Sequence, residues 1–200
     1  MKTVAGVLLA AGEGSRLGQP KALVSLDGQT LAERGASLLR AGGADPVLLV
    51  AGAVPVELDD VRTVDNPDWR TGMGSSLRAA LRALADTGAA AVVIALADQP
   101  LVGPEAVARL IAAYRAGATV AVAAYEGKPR NPVLVAREHW AEVIETATGD
   151  QGARAFLRAR SDLVTLVECG DTGRPDDIDT PADLDRIARD VRRPGSPRRG

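Results

Sequence analysis

Residues 8–21, LLAAGEGSRLGQPK, decide how the rest of the chain is interpreted. They continue an apolar run, residues 4–10, that contains no polar side chain, as is typical of a strand buried on both faces of a parallel sheet. Three glycines follow, together with Arg16 and Lys21. Because glycine lets backbone N–H groups turn toward a ligand and the two cations add positive charge, this loop predicts a polyphosphate site.

Two common phosphate-binding motifs fit this loop poorly. A P-loop requires G-x-x-x-x-G-K-[ST], whereas five residues separate Gly12 from Gly18 and a Gln-Pro pair precedes the lysine. A dinucleotide fingerprint requires G-x-G-x-x-G and an acid after the second strand, but the spacing differs and the next apolar segment ends at Gly52 without a carboxylate. Residues Leu9 to Lys21 instead match L-A-A-G-x-x-x-R-x-G-x-x-K, a signature that resembles that of NTP-activating nucleotidyltransferases.

Composition bounds the class of protein. The chain has 200 residues, 46% of them hydrophobic and only 2% aromatic, which suits one α/β domain with a core of Ala, Val and Leu. A net charge of −2 and few aromatics argue against nucleic-acid binding. The lone Cys169 excludes an internal disulfide or a multi-cysteine metal site. Without a signal peptide or an apolar run of ~18 residues, we expect a cytoplasmic protein that does not bind membranes.

Alternating strand and helix patterns predict a single-domain, three-layer α/β/α, Rossmann-like fold with a mostly parallel sheet. We expect the domain to span residues 1–192 and the basic tail, residues 193–200, to be disordered because it has no apolar residue to bury. Predicted strands cover residues 4–10, 47–50, 61–64, 91–97, 119–124, 133–135 and 163–167, with residues 128–132 breaking the pattern. Helices are predicted over 77–84, 104–114 and 139–147 and after Gly152. Two further helices are predicted to begin with capping boxes, Thr30 with Glu33 and Thr180 with Asp183.

Polar clusters follow several predicted strands. Asp98 ends the strand 91–97, and Asp179 follows the last strand region. Ligands of open α/β sheets bind beyond the carboxyl ends of the strands, so both carboxylates are expected to face the same site as Lys21. Magnesium takes one or two carboxylates together with substrate phosphates, so this pair suffices for Mg²⁺. Each aspartate also has a structural interpretation, Asp98 in a turn and Asp179 at a helix start.

The motifs LAAGEGSRLGQPKAL, NPDWRTGMGSSLRAAL, LADQP, GKPRNPVL, GDQGAR and DIDTPADL occur in this order. Together they resemble the MobA-like nucleotidyltransferases, which share the nucleotide-diphospho-sugar transferase fold, and most closely the molybdenum cofactor cytidylyltransferase branch. The resemblance implies transfer of a nucleoside monophosphate from an NTP to a phosphorylated acceptor such as molybdopterin, with release of pyrophosphate. A molybdoenzyme or its chaperone would be a protein partner.

The same resemblance assigns roles to individual residues. Arg16, Lys21 and Asp98 would be catalytic, Ala11, Gly12, Gly14, Arg16 and Lys21 would hold the triphosphate, and Asp98 and Asp179 would bind Mg²⁺. Gly72, Ser75 and Ser76 resemble a segment that reads a pyrimidine base, which favours CTP over GTP, although Ser75 also fits a simple helix cap. Arg130, Asn131, Asp150 and Arg154 would contact the acceptor.

Other functions remain compatible with these motifs. NAD(P)H-dependent reductases of the nicotine blue oxidoreductase type resemble the same family, but the missing acid after the second strand and the paired aspartates favour the transferase. An accessory protein that delivers nucleotide or cofactor without turnover is a further alternative, disfavoured by the joint presence of Lys21, Asp98 and Asp179. GTP as donor, and a phosphosugar or phospholactate as acceptor, also stay open.

Overall fold

The computed structural model describes residues 2–192, which form a seven-stranded sheet with the order β5-β4-β1-β6-β8-β7-β9 and a separate hairpin, β2–β3. All neighbouring strands of the large sheet are parallel except the pairs that involve β8, which is antiparallel to both of its neighbours. The strands are β1 (Thr3–Leu9), β2 (Ser25–Leu26), β3 (Gln29–Thr30), β4 (Val47–Ala51), β5 (Arg62–Asp65), β6 (Ala89–Leu96), β7 (Val120–Tyr125), β8 (Lys128–Ala136) and β9 (Val164–Glu168).

Helices cover both faces of the sheet and complete three layers. They are α1 (Leu31–Ala41), α2 (Met73–Leu84), α3 (Pro104–Arg115), α4 (Trp140–Thr146), α5 (Arg154–Ala159) and α6 (Pro181–Val191). Buried residues of α1 and α3 pack in one core on the first face, and those of α2, α4 and α5 pack in a second core on the other face. The predicted single-domain, three-layer and mostly parallel architecture is confirmed.

From Val4 to Leu9, β1 contains no polar side chain and contributes to both cores. Val4 and Leu8 belong to the first core, whereas Ala5, Val7 and Leu9 belong to the second. Successive side chains of a strand point to opposite faces, so a central strand covered on both faces carries no polar position. Strand β1 therefore ends in the middle of the sheet, between β4 and β6, and delivers the glycine-rich loop there.

Helix α6 packs at the carboxyl edge of the sheet rather than against its faces. Its buried Ile187 joins a third, small core with Leu17 and Ile178, and with residues of the β2–β3 hairpin. The helix begins with the predicted capping box, in which Thr180 accepts from Asp183 N and the Asp183 carboxylate accepts from Thr180 N. This third core fixes the segment before α6 beside the glycine-rich loop.

Two details differ from the sequence predictions. Residues 128–132 do not break the pattern but form the first half of β8, because Glu126 and Gly127 make a tight turn with positive φ that returns the chain antiparallel to β7. The hairpin β2–β3 was not predicted, although its turn, Asp27-Gly28, is a strong hairpin signal. The proposed disordered tail lies outside the described residues. No helix within residues 2–192 is long and apolar enough to cross a lipid bilayer.

Candidate active site

A cavity of about 590 Å³ opens at the carboxyl ends of β1 and β6, where the sheet predicts a ligand site. We call it the first cavity. Its wall combines the glycine-rich loop, the end of β6 and the start of α2. The lining includes the predicted residues Ala11, Gly12, Lys21, Gly72, Ser76, Asp98 and Asp150, together with Trp69 and Arg70.

Lys21 joins the two aspartates that were predicted to lie together. Its Nζ donates to Asp98 Oδ2 at 2.7 Å and to Asp179 Oδ1 at 2.6 Å. Arg16 reaches the other oxygen of Asp179, with 3.2 Å between Nη2 and Oδ2, while most of its side chain stays exposed. The four side chains thus form one charged cluster, although Asp98 and Asp179 come from segments far apart in sequence.

Electrostatics hold Lys21 and Asp179 in their charged forms. The hydrogen bond from Lys21 lowers the pKa of Asp179, and the charges of Lys21 and Arg16 add to the effect against partial burial. Burial alone would lower the pKa of Lys21, but the charges and hydrogen bonds of Asp98 and Asp179 outweigh it and raise the pKa. The ammonium group therefore stays protonated near neutral pH and balances the two carboxylates.

The aspartate pair fits a hard divalent cation. Asp98 Oδ1 is buried and accepts no hydrogen bond from any residue that the structure describes. A buried, unpaired carboxylate oxygen is costly unless a ligand satisfies it. Within residues 2–192 no cluster of three or more His, Cys, Asp or Glu side chains could hold a metal, so any metal would rely on two carboxylates, phosphate oxygens and water, as Mg²⁺ commonly does.

The glycines of the first loop have different roles. Gly14 has φ +63°, and a Cβ there would lie 2.0 Å from Gln19 O, so this glycine is required by the loop itself. Its carbonyl accepts from the backbone N–H groups of Leu17 and Gly18, each at 2.9 Å. A Cβ at Gly12 would meet no protein atom within 4 Å, although Gly12 lines the first cavity. The fold would therefore tolerate a side chain at Gly12, and the space beside this glycine is open to a ligand in the first cavity.

The start of α2 is held by a buried hydrogen-bond network around Asn66. Asn66 Nδ2 donates to Ser75 Oγ at 2.8 Å and to Ser76 Oγ at 2.9 Å. Ser75 Oγ in turn lies within hydrogen-bond distance of the carbonyls of Asp68 and Gly72. The helix N-cap is Gly72, so Ser75 is not the cap, and of the two serines only Ser76 lines the first cavity.

A second cavity, of about 840 Å³, adjoins the first along Leu96, which lines both. Three of the four predicted acceptor residues, Arg130, Asn131 and Arg154, line this second cavity. Asp150 lies instead in the first cavity, where a Cβ at Gly72 would come within 2.8 Å of its Oδ1. The structure therefore does not bring all four together.

Several residues that line these cavities were not identified from the sequence. Gln99 and Asp177 line the second cavity and are joined by a hydrogen bond of 2.8 Å. Partial burial and the charges of Asp98 and Asp179 raise the pKa of Asp177, against the opposing hydrogen bond from Gln99. Arg158 lines the same cavity, and the Arg70 guanidinium stacks on the Trp69 ring at 4.4 Å in the first. Asp177 was within reach of sequence reasoning, because it lies two residues before Asp179.

A mostly parallel sheet whose first loop carries glycines and a lysine against paired carboxylates is typical of nucleotide-binding α/β proteins. The chain belongs to the MobA-like NTP transferase family, since the profile of that domain matches residues 6–164.

Two curated relatives illustrate the range of the family. Nicotine blue oxidoreductase of Paenarthrobacter nicotinovorans is 39% identical over 198 residues, covering 92% of this chain and 96% of the relative. A probable molybdenum cofactor guanylyltransferase of Opitutus terrae is 38% identical over 102 residues, covering 50% of each protein. The relatives therefore share the family but are named for different activities, one an oxidoreductase and the other a guanylyltransferase.

Solved structures share the fold over nearly the whole chain. A homolog of Mycobacterium tuberculosis Rv0371c from Mycobacterium sp. strain JC1 superposes with a TM-score of 0.81 and 33% identity, covering 94% of this chain and 96% of the other. Rv0371C of Mycobacterium tuberculosis H37Rv, crystallised in complex with manganese, superposes with a TM-score of 0.74 and 27% identity, covering 94% and 99%.

Proposed function

We propose that this protein is a Mg²⁺-dependent nucleotidyltransferase that moves a nucleoside monophosphate from an NTP to a phosphorylated acceptor and releases pyrophosphate. The observation that carries the proposal is the cluster of Lys21, Asp98 and Asp179, with the unpaired, buried Asp98 Oδ1 at the wall of the first cavity. Membership of the MobA-like NTP transferase family and the manganese complex of a structural relative support it.

Each residue of the cluster has a simple task in this reaction. Backbone groups at Ala11 and Gly12 would receive the triphosphate, and Lys21 with Arg16 would neutralise charge on the transferring group and on the pyrophosphate. Asp98 and Asp179 would hold Mg²⁺, which supplies additional positive charge to the phosphates when bound. The acceptor phosphate is already ionised near neutral pH, so this chain needs no general base.

The second cavity is the proposed acceptor site. Within residues 2–192, Arg130, Arg154 and Arg158 form no ion pair with a carboxylate: the Arg130 guanidinium bonds a backbone carbonyl and that of Arg158 bonds the Gln151 side chain. Arginines without carboxylate partners suit an anionic ligand. Because a relative is named as a molybdenum cofactor guanylyltransferase, we propose molybdopterin as the acceptor, and a molybdoenzyme or its chaperone as the recipient of the product.

We propose CTP as the preferred donor. The support is the resemblance of residues 72–76 to a pyrimidine-reading segment and the position of Gly72 and Ser76 in the wall of the first cavity. The Ser75 hydroxyl accepts from Asn66 and donates to a backbone carbonyl, whereas Ser76 Oγ accepts from Asn66 and lines the first cavity. The Ser76 O–H and the backbone near Gly72 would therefore make the base contacts. GTP is the rival donor, because the relative from Opitutus terrae is named as a guanylyltransferase.

Reduction with NAD(P)H is a second candidate function, because the relative named nicotine blue oxidoreductase matches nearly the full length of both proteins. The site favours the transferase on one point. Strand β4 ends at Ala51 and Gly52 follows, so no carboxylate stands where dinucleotide-binding folds hold the ribose.

Thermal unfolding with CTP, GTP, ATP and NADPH, each with Mg²⁺ and with EDTA, tests the proposal. A ligand that binds only the native state raises stability in proportion to the logarithm of its concentration over Kd. We expect CTP with Mg²⁺ to give the largest increase and EDTA to abolish most of it. Stabilisation by NADPH alone, independent of Mg²⁺, would replace the transferase by the reductase, and a clear preference for GTP would overturn the choice of base.

A further inference from the structure

We propose that Gln99 and Asp177 form a positioning pair that holds Asp98 and Asp179 at the separation required to share one divalent cation. This inference rests on the proposed function, and it concerns two residues that neither the motif roles nor the family relationship assigns. Each residue of the pair is close in sequence to one of the aspartates. Gln99 directly follows Asp98 after β6, and Asp177 precedes Asp179 by two residues before α6.

Gln99 is the central element of this arrangement. Its side chain is buried, with only 6% of the residue exposed, in a place where an amide needs partners. Nε2 donates to Asp177 Oδ1 at 2.8 Å and to the Pro175 carbonyl at 3.4 Å. A single side chain after β6 therefore fixes two points of the segment that leads to Asp179.

Backbone contacts make the connection continuous. Ile178 N donates to the Asp98 carbonyl at 2.8 Å, so the two segments are hydrogen-bonded directly at the first aspartate. The Ile178 side chain is fully buried in the third core, with Leu17 and Ile187. Its two neighbours carry the carboxylates, Asp177 bonded to Gln99 and Asp179 bonded to Lys21. Movement of this segment would displace both the Asp177 and the Asp179 carboxylates.

The two aspartates have no attraction for each other that would hold them together. Asp98 and Asp179 repel each other, and without Lys21 or a cation between them only the surrounding chain keeps them close. Outer-shell hydrogen bonds that orient metal ligands typically contribute ~10–100-fold to metal affinity or activity. Gln99 and Asp177 are the side chains that make such a connection between the two ligand segments.

The test is Mn²⁺ binding to the full chain, measured by titration without nucleotide. Gln99→Met keeps the length of the side chain and removes its polar atoms, whereas Asp177→Ala removes the acceptor at the more exposed end of the pair. We expect each variant to raise the Kd for Mn²⁺ about tenfold, and the double variant to be no worse than either single one, because all three lose the same Gln99–Asp177 hydrogen bond. Asp177→Asn keeps an acceptor oxygen for Gln99 and should bind Mn²⁺ close to the wild-type Kd.

Matched controls separate positioning from general stability. Gln29→Met makes the same chemical change at an exposed residue of β3 and should alter neither the Kd for Mn²⁺ nor the unfolding temperature. Wild-type Mn²⁺ affinity in Gln99→Met and Asp177→Ala would overturn the positioning role and leave the proposed metal site standing. Additive losses in the double variant would do the same. An equal loss of Mn²⁺ affinity in Asp177→Asn and Asp177→Ala would also overturn the positioning role. The charge of Asp177, and not its hydrogen bond to Gln99, would then determine the affinity. A wild-type chain that binds no Mn²⁺, either alone or with CTP present, would instead overturn the proposed metal site and this inference with it.

Discussion

The ammonium group of Lys21 lies 2.7 Å from Asp98 Oδ2, between this carboxylate and Asp179, where a shared cation would also find its ligands. The lysine thus serves as the counter-ion of the aspartate pair in the structure without ligands. A divalent cation bound by both aspartates would compete with Lys21 for the same two carboxylate groups. Binding of a metal–nucleotide complex would release the ammonium group from the carboxylates and make it available to the phosphates.

This competition predicts opposite effects for one substitution. Lys21→Met removes the internal counter-ion, so we expect the affinity for Mn²⁺ in the absence of nucleotide to increase about tenfold, an estimate from the Coulomb energy of a partly exposed pair. Pyrophosphate release from saturating CTP should fall by ~10²–10³, the usual cost of one preorganised charged donor. Calorimetric Mn²⁺ titration and a pyrophosphate assay measure the two effects separately.

Lys128→Met is the control for this experiment, because Lys128 is an exposed residue of β8 and lines neither cavity. It should leave both quantities unchanged. Weaker Mn²⁺ binding in Lys21→Met would show that the lysine does not occupy the metal ligands in solution, and unchanged turnover would remove its role toward phosphate.

A double-substitution cycle tests whether Asp98 and Asp179 share one cation. Asp98→Asn and Asp179→Asn should each abolish Mg²⁺-dependent pyrophosphate release, and the combination should cost little more, since residues that act as a unit are strongly non-additive. In the Lys21→Met background, removing one of the two negative charges should also raise the free energy of unfolding slightly. Additive losses, or full activity in EDTA, would mean that the two residues have unrelated roles.

Gly12 offers a test that leaves the fold intact. A Cβ at Gly12 meets no atom within 4 Å, and the same is true of Gly88, which lies at the opposite edge of the sheet. We expect Gly12→Ala and Gly88→Ala to change the free energy of unfolding by less than ~0.5 kcal/mol. Gly12→Ala alone should weaken CTP binding, because crowding a closely packed contact costs ~1–3 kcal/mol. Equal CTP affinity in both variants would place the phosphates elsewhere.

Asn66 should matter for stability more than its position after an edge strand suggests. It is buried, and its side chain makes three hydrogen bonds, to Ser75 Oγ, to Ser76 Oγ and from Asp68 N. Asn66→Ala leaves buried polar groups without this partner and should lower the free energy of unfolding by ~1–3 kcal/mol. Asn131→Ala, at a half-buried position, is the comparison and should cost much less in urea denaturation. Similar losses would contradict the assigned network.

Much of the fold and the cluster follows from local sequence signals. The buried strand β1 and the capping box at Thr180 each depend on residues close in sequence, and both were predicted correctly. The meeting of Lys21, Asp98 and Asp179 was predicted because the carboxyl ends of parallel strands share one edge of the sheet.

The errors arose at two hairpin turns that were overlooked and where contacts between distant residues decide the structure. The segment 128–132 contains two prolines and reads as a break, yet the turn at Glu126-Gly127 and the pairing with β7 make it a strand. Burial of the Ser75 hydroxyl depends on Asn66, and the Gln99–Asp177 bond joins residues 78 positions apart. Periodicity carries no information about such partners.

Because β8 runs antiparallel between β6 and β7, its first residues, including Arg130 and Asn131, reach the same edge of the sheet as the last residues of its neighbours. The first cavity is built mostly from residues before Asp98 and the second mostly from residues after it. Substitutions in the β7–β8 hairpin and in α5 can therefore reshape the second cavity while leaving most of the first cavity untouched. The same sheet could in this way take a different partner molecule without losing the ligand held at the glycine-rich loop.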